Sequence, residues 1–303
     1  MVRSYVGAVA AAAVLVSSAV AVQGQTPATP ATLAQRFAPI DLTGTWVSIV
    51  TEDWAVRMIP PPKGDFESLP LTRAAQEAAN AADIARLEAA GRACDAYGAP
   101  ALLRQPGRVR FSWQDASTLK IETDAGQQTR LLHFDGTAAK GAPSLQGFSV
   151  AEWQYANGFD PIRADAALAG GGGRAGGGRQ GGGPGAGAPP AGGPPAGGGA
   201  AAGGGGGRGR FGGAATAPSG GRLKVVTTNL TAGLLRKNGV PYSANAEVTE
   251  FFNLLTEPNG TQWVIVTTIL HDPANFAVDY ITSTNFRKEP DGSKFKPQAC
   301  SLR

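Results

Sequence analysis

Residues 108–134, RVRFSWQDASTLKIETDAGQQTRLLHF, leave this chain few ways to fold. Val109, Phe111 and Trp113 alternate with Arg108, Arg110 and Ser112. That period of two puts the apolar trio on one face of a strand and the charges on the other. Residues 114–117 are short and polar and read as a hairpin loop. Leu119 and Ile121 then alternate with Lys120 and Glu122 in a second strand. Asp124, Ala125 and Gly126 supply the next turn, where glycine can take a positive φ. Residues 129–134 form the third strand. A meander with one apolar face cannot hide that face alone, so other strands must pack on it or close around it.

The rest of the chain offers those strands. Residues 43–50 (TGTWVSIV) make the first, and residues 54–59 read as a second that Pro60, Pro61 and Pro62 close. Strands are also expected over 144–154, 223–229, 247–255, 261–270 and 279–288. The fourth of these links to its predecessor through Glu257-Pro258-Asn259-Gly260, a hairpin signal because Asn-Gly adopts the left-handed turn readily. Residues 261–270 are so nearly continuously apolar that burial on both faces is expected. One Ala-rich helix is expected over 72–90. Thr72 is its N-cap, Ile84 and Leu87 share a face, and Gly91 is the stop. The fold class is therefore mainly β: an antiparallel barrel or strongly curved sheet of about ten strands with one helix.

Residues 170–221 hold well over half of the 43 glycines, with Ala and Pro filling most of the remainder. Such a tract cannot bury enough surface to offset its ordering entropy and is expected to be a disordered insertion. Residues 1–21 carry one early charge, Arg3, then an Ala/Val run ending in Ala19-Val20-Ala21. That is the pattern of a cleaved signal peptide, and the run is short for a membrane span. Residues 22–40 read as a flexible leader and 41–303 as a single β domain around the insertion. The two cysteines, Cys94 and Cys300, are expected to pair in an exported chain. The expected location is periplasmic or extracellular.

The net charge of +4 overstates the basic character of the folded part. Of 27 Lys and Arg, Arg3 lies in the signal peptide and Arg174, Arg179, Arg208 and Arg210 in the glycine tract, leaving 22 against 23 acids. A nearly neutral body argues against nucleic acid and against a generally anion-seeking surface.

Several stretches, DLTGTW, PGRVRFSWQDASTLKIETDAGQQTRLLHFDG, PSLQGFSVAEWQ, LKVVTTN, LRKNGVPYSANAEVTEFF and TTILHDPANFAVDYITSTNF, resemble a family of uncharacterised secreted proteins of soil bacteria. The Gly44-x-Trp46 start is similar to the opening of lipocalin-like barrels. The resemblance implies that a strand like GFSVAEW passes by a very short turn to one like LKVVTT. The glycine tract would then interrupt a hairpin within one domain. The resemblance brings no activity, cofactor or catalytic residue with it.

No HExxH, GxSxG, CxxC or P-loop occurs, and nothing calls for a cofactor or metal. Trp46, Trp113, Trp153 and Trp263 sit on expected strands, and Glu250 and Asn253 flank Phe251 and Phe252. In a lipocalin-like cup these six are candidates to line a pocket for a small apolar molecule. The alternative is a hydrolase or isomerase in the same cup. His133 would be its general base, oriented by Asp135 or Glu122. A structural strand histidine explains His133 as well, and His271 before Asp272-Pro273 reads as a loop residue.

Overall fold

The computed structural model describes residues 33–156, 158, 160 and 220–303. The expected signal peptide and most of the glycine-rich insertion lie outside the described residues.

Nine strands close into a barrel. In chain order they are β1 (Gly44–Ile49), β2 (Arg108–Asp115), β3 (Thr118–Thr123), β4 (Thr129–His133), β5 (Phe148–Tyr155), β6 (Gly221–Thr228), β9 (Glu247–Thr256), β10 (Gln262–His271) and β11 (Tyr280–Lys288). A small separate ribbon, β7 (Gly233–Leu234) and β8 (Pro241–Tyr242), lies between β6 and β9. Around the barrel the order is β1-β11-β10-β9-β6-β5-β4-β3-β2. The barrel is mixed rather than wholly antiparallel, because β4 and β5 run parallel where Leu132 and His133 meet Ser149 and Val150. The connection over 134–147 crosses from one end to the other, which a tight hairpin cannot do.

The meander forms as its pattern requires. Phe111 pairs with Ile121 and Leu119 with Leu132, so the apolar sets share a face. Gly126 has φ 76°, and a Cβ there would lie 2.3 Å from the Tyr97 ring. β5 and β6 are antiparallel neighbours, with Trp153 opposite Leu223 and Tyr155 opposite Gly221. The flanks of the insertion are thus joined in one sheet. β10 alternates buried and half-buried residues, so one face is covered rather than two.

Two expected elements differ. Residues 54–59 are not a strand. Trp54–Met58 is a helix, α1. Over so few residues the alternation Trp54, Val56, Met58 cannot tell a period of 2 from 3.6. The single expected helix is two, α2 (Arg73–Ala81) and α3 (Ile84–Ala89). Thr72 caps α2, accepting from the Ala75 N–H at 3.2 Å. Asp83 starts α3 afresh, accepting from the Arg86 N–H at 2.9 Å. A short 3-10 segment (Ala93–Tyr97) and α4 (Ala99–Leu102) follow. Cys94 and Cys300 form a disulfide.

The inward side chains fill the barrel in layers. Trp46, Phe111, Leu132, Trp153, Leu223, Phe252, Val264 and Phe286 belong to one apolar cluster of buried residues. Toward one end comes a polar belt of Arg130, Ser149, Thr227, Glu250, Thr268 and Thr282, all buried. Beyond it Val248, Leu270 and Tyr280 meet α2, α4 and Phe276 in a second apolar cluster, so the helices close that end. Residues 33–40 close the other. From Leu33 on this segment is packed rather than loose, with Leu33, Ala34, Phe37 and Ile40 buried. The Trp153 Nε1–H donates to the Ala34 carbonyl at 2.8 Å. A Pro/Thr/Ala composition hid these anchors.

Candidate functional site

Where the helices close the barrel, α1 and the loops before β2, after β3 and after β7 converge with the C-terminal tail. Between them is a cleft of about 270 Å³. Five cationic side chains line it, Arg57, Arg104, Arg236, Lys237 and Arg303, and no Asp or Glu side chain does; Lys237 Nζ donates to the Arg303 carboxyl-terminal oxygen at 3.4 Å. Each has a local reason to be there. Arg57 sits in the last turn of α1, where a cation suits the helix dipole. Arg104 follows α4, and Arg236 and Lys237 occupy the turn that Gly239 (φ 98°) closes. The disulfide holds the tail wall beside the 3-10 segment. Ser301 N–H donates to the Tyr97 hydroxyl, and Gln298 N–H to the Asp124 carbonyl at 2.7 Å.

Behind the cleft the arginines are anchored to one carboxylate. Asp53 accepts from Arg104 Nη2 at 2.8 Å, Arg236 Nη2 at 3.4 Å, Ser68 Oγ at 3.1 Å and the Tyr280 hydroxyl at 3.3 Å. Arg236 also donates to Ser68 Oγ at 2.9 Å. Glu52 takes Arg104 Nη1 at 3.4 Å. Asp53 and Ser68 both hold positive φ, 52° and 65°. Non-glycine residues in this region cost of order 1–3 kcal/mol each and collect where a site over-determines the backbone. Burial pushes the Tyr280 phenol up.

Arg57 is different. Its Nε donates to the Arg104 carbonyl at 2.9 Å and Nη1 to the Glu52 carbonyl at 3.4 Å. Its Nη2 is buried and has no partner among the described residues. Burial first, and the neighbouring Arg104 charge second, bring its pKa down to about 10. Arg104, Arg236, Lys237 and Arg303 already have acceptors, so Arg57 Nη2 is the cleft's one buried donor without a partner among the described residues.

The residues that sequence patterns single out are elsewhere and are not brought together. Trp46, Trp113 and Trp153 point inward. The first and third are core, and Trp113 and Trp153 both stack on Phe134, at 5.5 and 5.2 Å between ring centres. Glu250 is inward and sealed. Arg130 holds it through both guanidinium nitrogens, Nη1 to Oε1 at 3.1 Å and Nη2 to Oε2. Asn253 and Trp263 stand one residue out of that phase and face outward. Trp263 borders a surface groove with Arg287, Lys288 and Lys294. His133 also faces outward, stacked on Phe148 at 5.0 Å between ring centres. Asp135 spends its carboxylate on Thr137, and Glu122 pairs with Lys120 at 3.2 Å. Among the described residues no group of three or more His, Cys, Asp or Glu could hold a metal ion.

Sequence reasoning missed Asp53, Arg57, Ser68, Arg104 and Arg236. They come from separate loops, and a near-neutral body hides a local excess of charge. The one signal available was Arg236-Lys237 set in a tight Asn-Gly turn. Comparison of the chain with family profiles, with curated proteins and with solved structures finds no match.

Proposed function

We propose that this chain is an exported β-barrel binding protein that works at the arginine cleft rather than inside the barrel. Its ligand presents a carboxylate or phosphate group. The observation that carries the reading is Arg57, with Nη2 buried and unpartnered beside a second guanidinium in a cleft whose charged side chains are all basic. Two neighbouring cations disfavour one another until an anion joins them. Guanidinium groups meet carboxylate and phosphate through paired, charge-assisted hydrogen bonds. The lining carries no His, Asp or Glu side chain, which favours holding an anion over moving a proton. The packed interior leaves an apolar guest no support there, and the outward His133 gives a base in the cup none. Export is supported by residues 1–21 and by the disulfide, which persists in oxidising compartments. Membership of the soil-bacterial secreted family is part of the same reading and rests on the quoted segments.

The test is calorimetric titration with inorganic phosphate and with citrate at low ionic strength. The wild type is expected to bind at least one of them, more weakly as salt rises. Arg57→Leu is expected to weaken that binding roughly tenfold to a hundredfold, the loss of one charged hydrogen-bonding group. Its thermal midpoint should stay level or rise, because repulsion from Arg104 is relieved. Absence of binding by the wild type, or equal binding by the variant, contradicts the reading.

A further inference from the structure

Beside the cleft the surface changes character. Among the described residues six large apolar side chains are conspicuously exposed, and three of them fall within six consecutive positions: Trp54 at 66 %, Met58 at 57 % and Ile59 at 72 %. All three stand on or just after α1, the helix that carries Arg57. Trp54 and Met58 are four residues apart and so share a face. Met58 also lines the cleft. The patch and the cationic donors are therefore one continuous surface.

We infer that this surface docks on a bilayer containing anionic lipid, with a lipid phosphate in the arginine cleft and the α1 side chains in the interface. The inference rests on the anion-binding reading and deepens it. Shape decides for a bilayer against a free amphiphile. A single acyl chain needs an apolar groove to cover it, whereas the pocket of about 200 Å³ beside Trp54 is lined by Asp53, Glu67 and Ser68 as well as Ala55 and Val56, and Ile59 stands outside it. Projecting Trp, Met and Ile beside clustered Arg and Lys suit the layer between headgroups and chains, where tryptophan gathers. The charge is complementary. Lys237 and Arg303 reach solvent at the cleft's edge, Arg303 beside Glu88, while Arg104 and Arg236 lie largely buried behind them against Glu52 and Asp53, and Glu67 is the exposed carboxylate on the Trp54 side. Lys63, exposed just after Pro60–Pro62, adds to the same side. Each basic group near an anionic surface is worth about a fivefold gain in partitioning.

Sedimentation with vesicles tests this directly. The full chain is mixed with vesicles of phosphatidylcholine alone and of phosphatidylcholine with 30 mol % phosphatidylglycerol (about one lipid in three). Inorganic phosphate titration runs in parallel. Co-sedimentation with the anionic vesicles at least tenfold above the neutral ones, with a blue shift of tryptophan emission, is the expected result. Trp54→Asp and Ile59→Asp should each lower it about tenfold and leave phosphate binding and the thermal midpoint unchanged. Neither residue lines the cleft. Phosphate binding without vesicle binding overturns the docking surface while leaving the anion site standing. Vesicle binding that ignores lipid charge, or that survives both substitutions, also overturns it.

Discussion

Two guanidinium groups set the terms at the level of single residues. Arg130 is fully satisfied. Besides Glu250 it donates to Ser149 Oγ at 3.2 Å and to Thr227 Oγ1 at 2.7 Å, and those two hydroxyls lie 2.8 Å apart. Both members of the pair are 1 % exposed. Removing one partner strands a charge where water cannot reach it, at a cost of about 3–5 kcal/mol, while replacing both with apolar groups is nearly neutral. Glu250→Leu is therefore expected to lose about that much in urea unfolding, and Arg130→Met with Glu250→Leu to recover most of it. Additive losses in the double variant would remove the pair from this account. Arg57 is the contrasting case, a donor left without an acceptor. Glu250 is in phase with Val248 and Phe252 and faces inward, although the sequence offered it together with the outward Asn253. The pattern could not reveal its partner, because Arg130 lies three strands away, across β6 and β5.

Elements explain what was legible and what was not. The three-strand meander and the Asn-Gly hairpin of β9 and β10 were readable because each depends on contacts between near neighbours or on a turn with a fixed residue preference, whereas the β5–β6 pairing came only from the family resemblance. The parallel β4–β5 contact was not, because no local pattern specifies strand direction after a long loop. Residues 72–90 held enough helical signal, but Asp83 competes for the backbone N–H groups ahead of it and begins a second helix. The β5–β6 register makes a specific claim about the insertion. Ala156 N–H already donates to the Gly220 carbonyl at 3.2 Å, so residues 157–219 leave and return at one point. Replacing them with a two-residue Asn-Gly turn should keep one cooperative thermal transition. Shortening a loop of about 60 residues to two should add about 3 kcal/mol on the logarithmic loop rule. Two transitions or a lower midpoint would mean that the tract contributes to the body.

For the whole molecule the central claim is a division of labour. The barrel is closed at both ends, by residues 33–40 and by the helices, and filled with an apolar layer and a polar belt. In the proposed reading, recognition falls to the loops at the helical end, held by the disulfide and by Asp53. Sequence periodicity finds cores well, and so it offered core tryptophans as ligand residues, while the loop arginines carry no period at all. The measurement that separates mouth from interior is nuclear magnetic resonance of the arginine side-chain N–H groups during phosphate titration. The account predicts saturable shifts at Arg57, Arg104 and Arg236, with Arg130 unmoved. Shifts at Arg130, or none at Arg57, would contradict it.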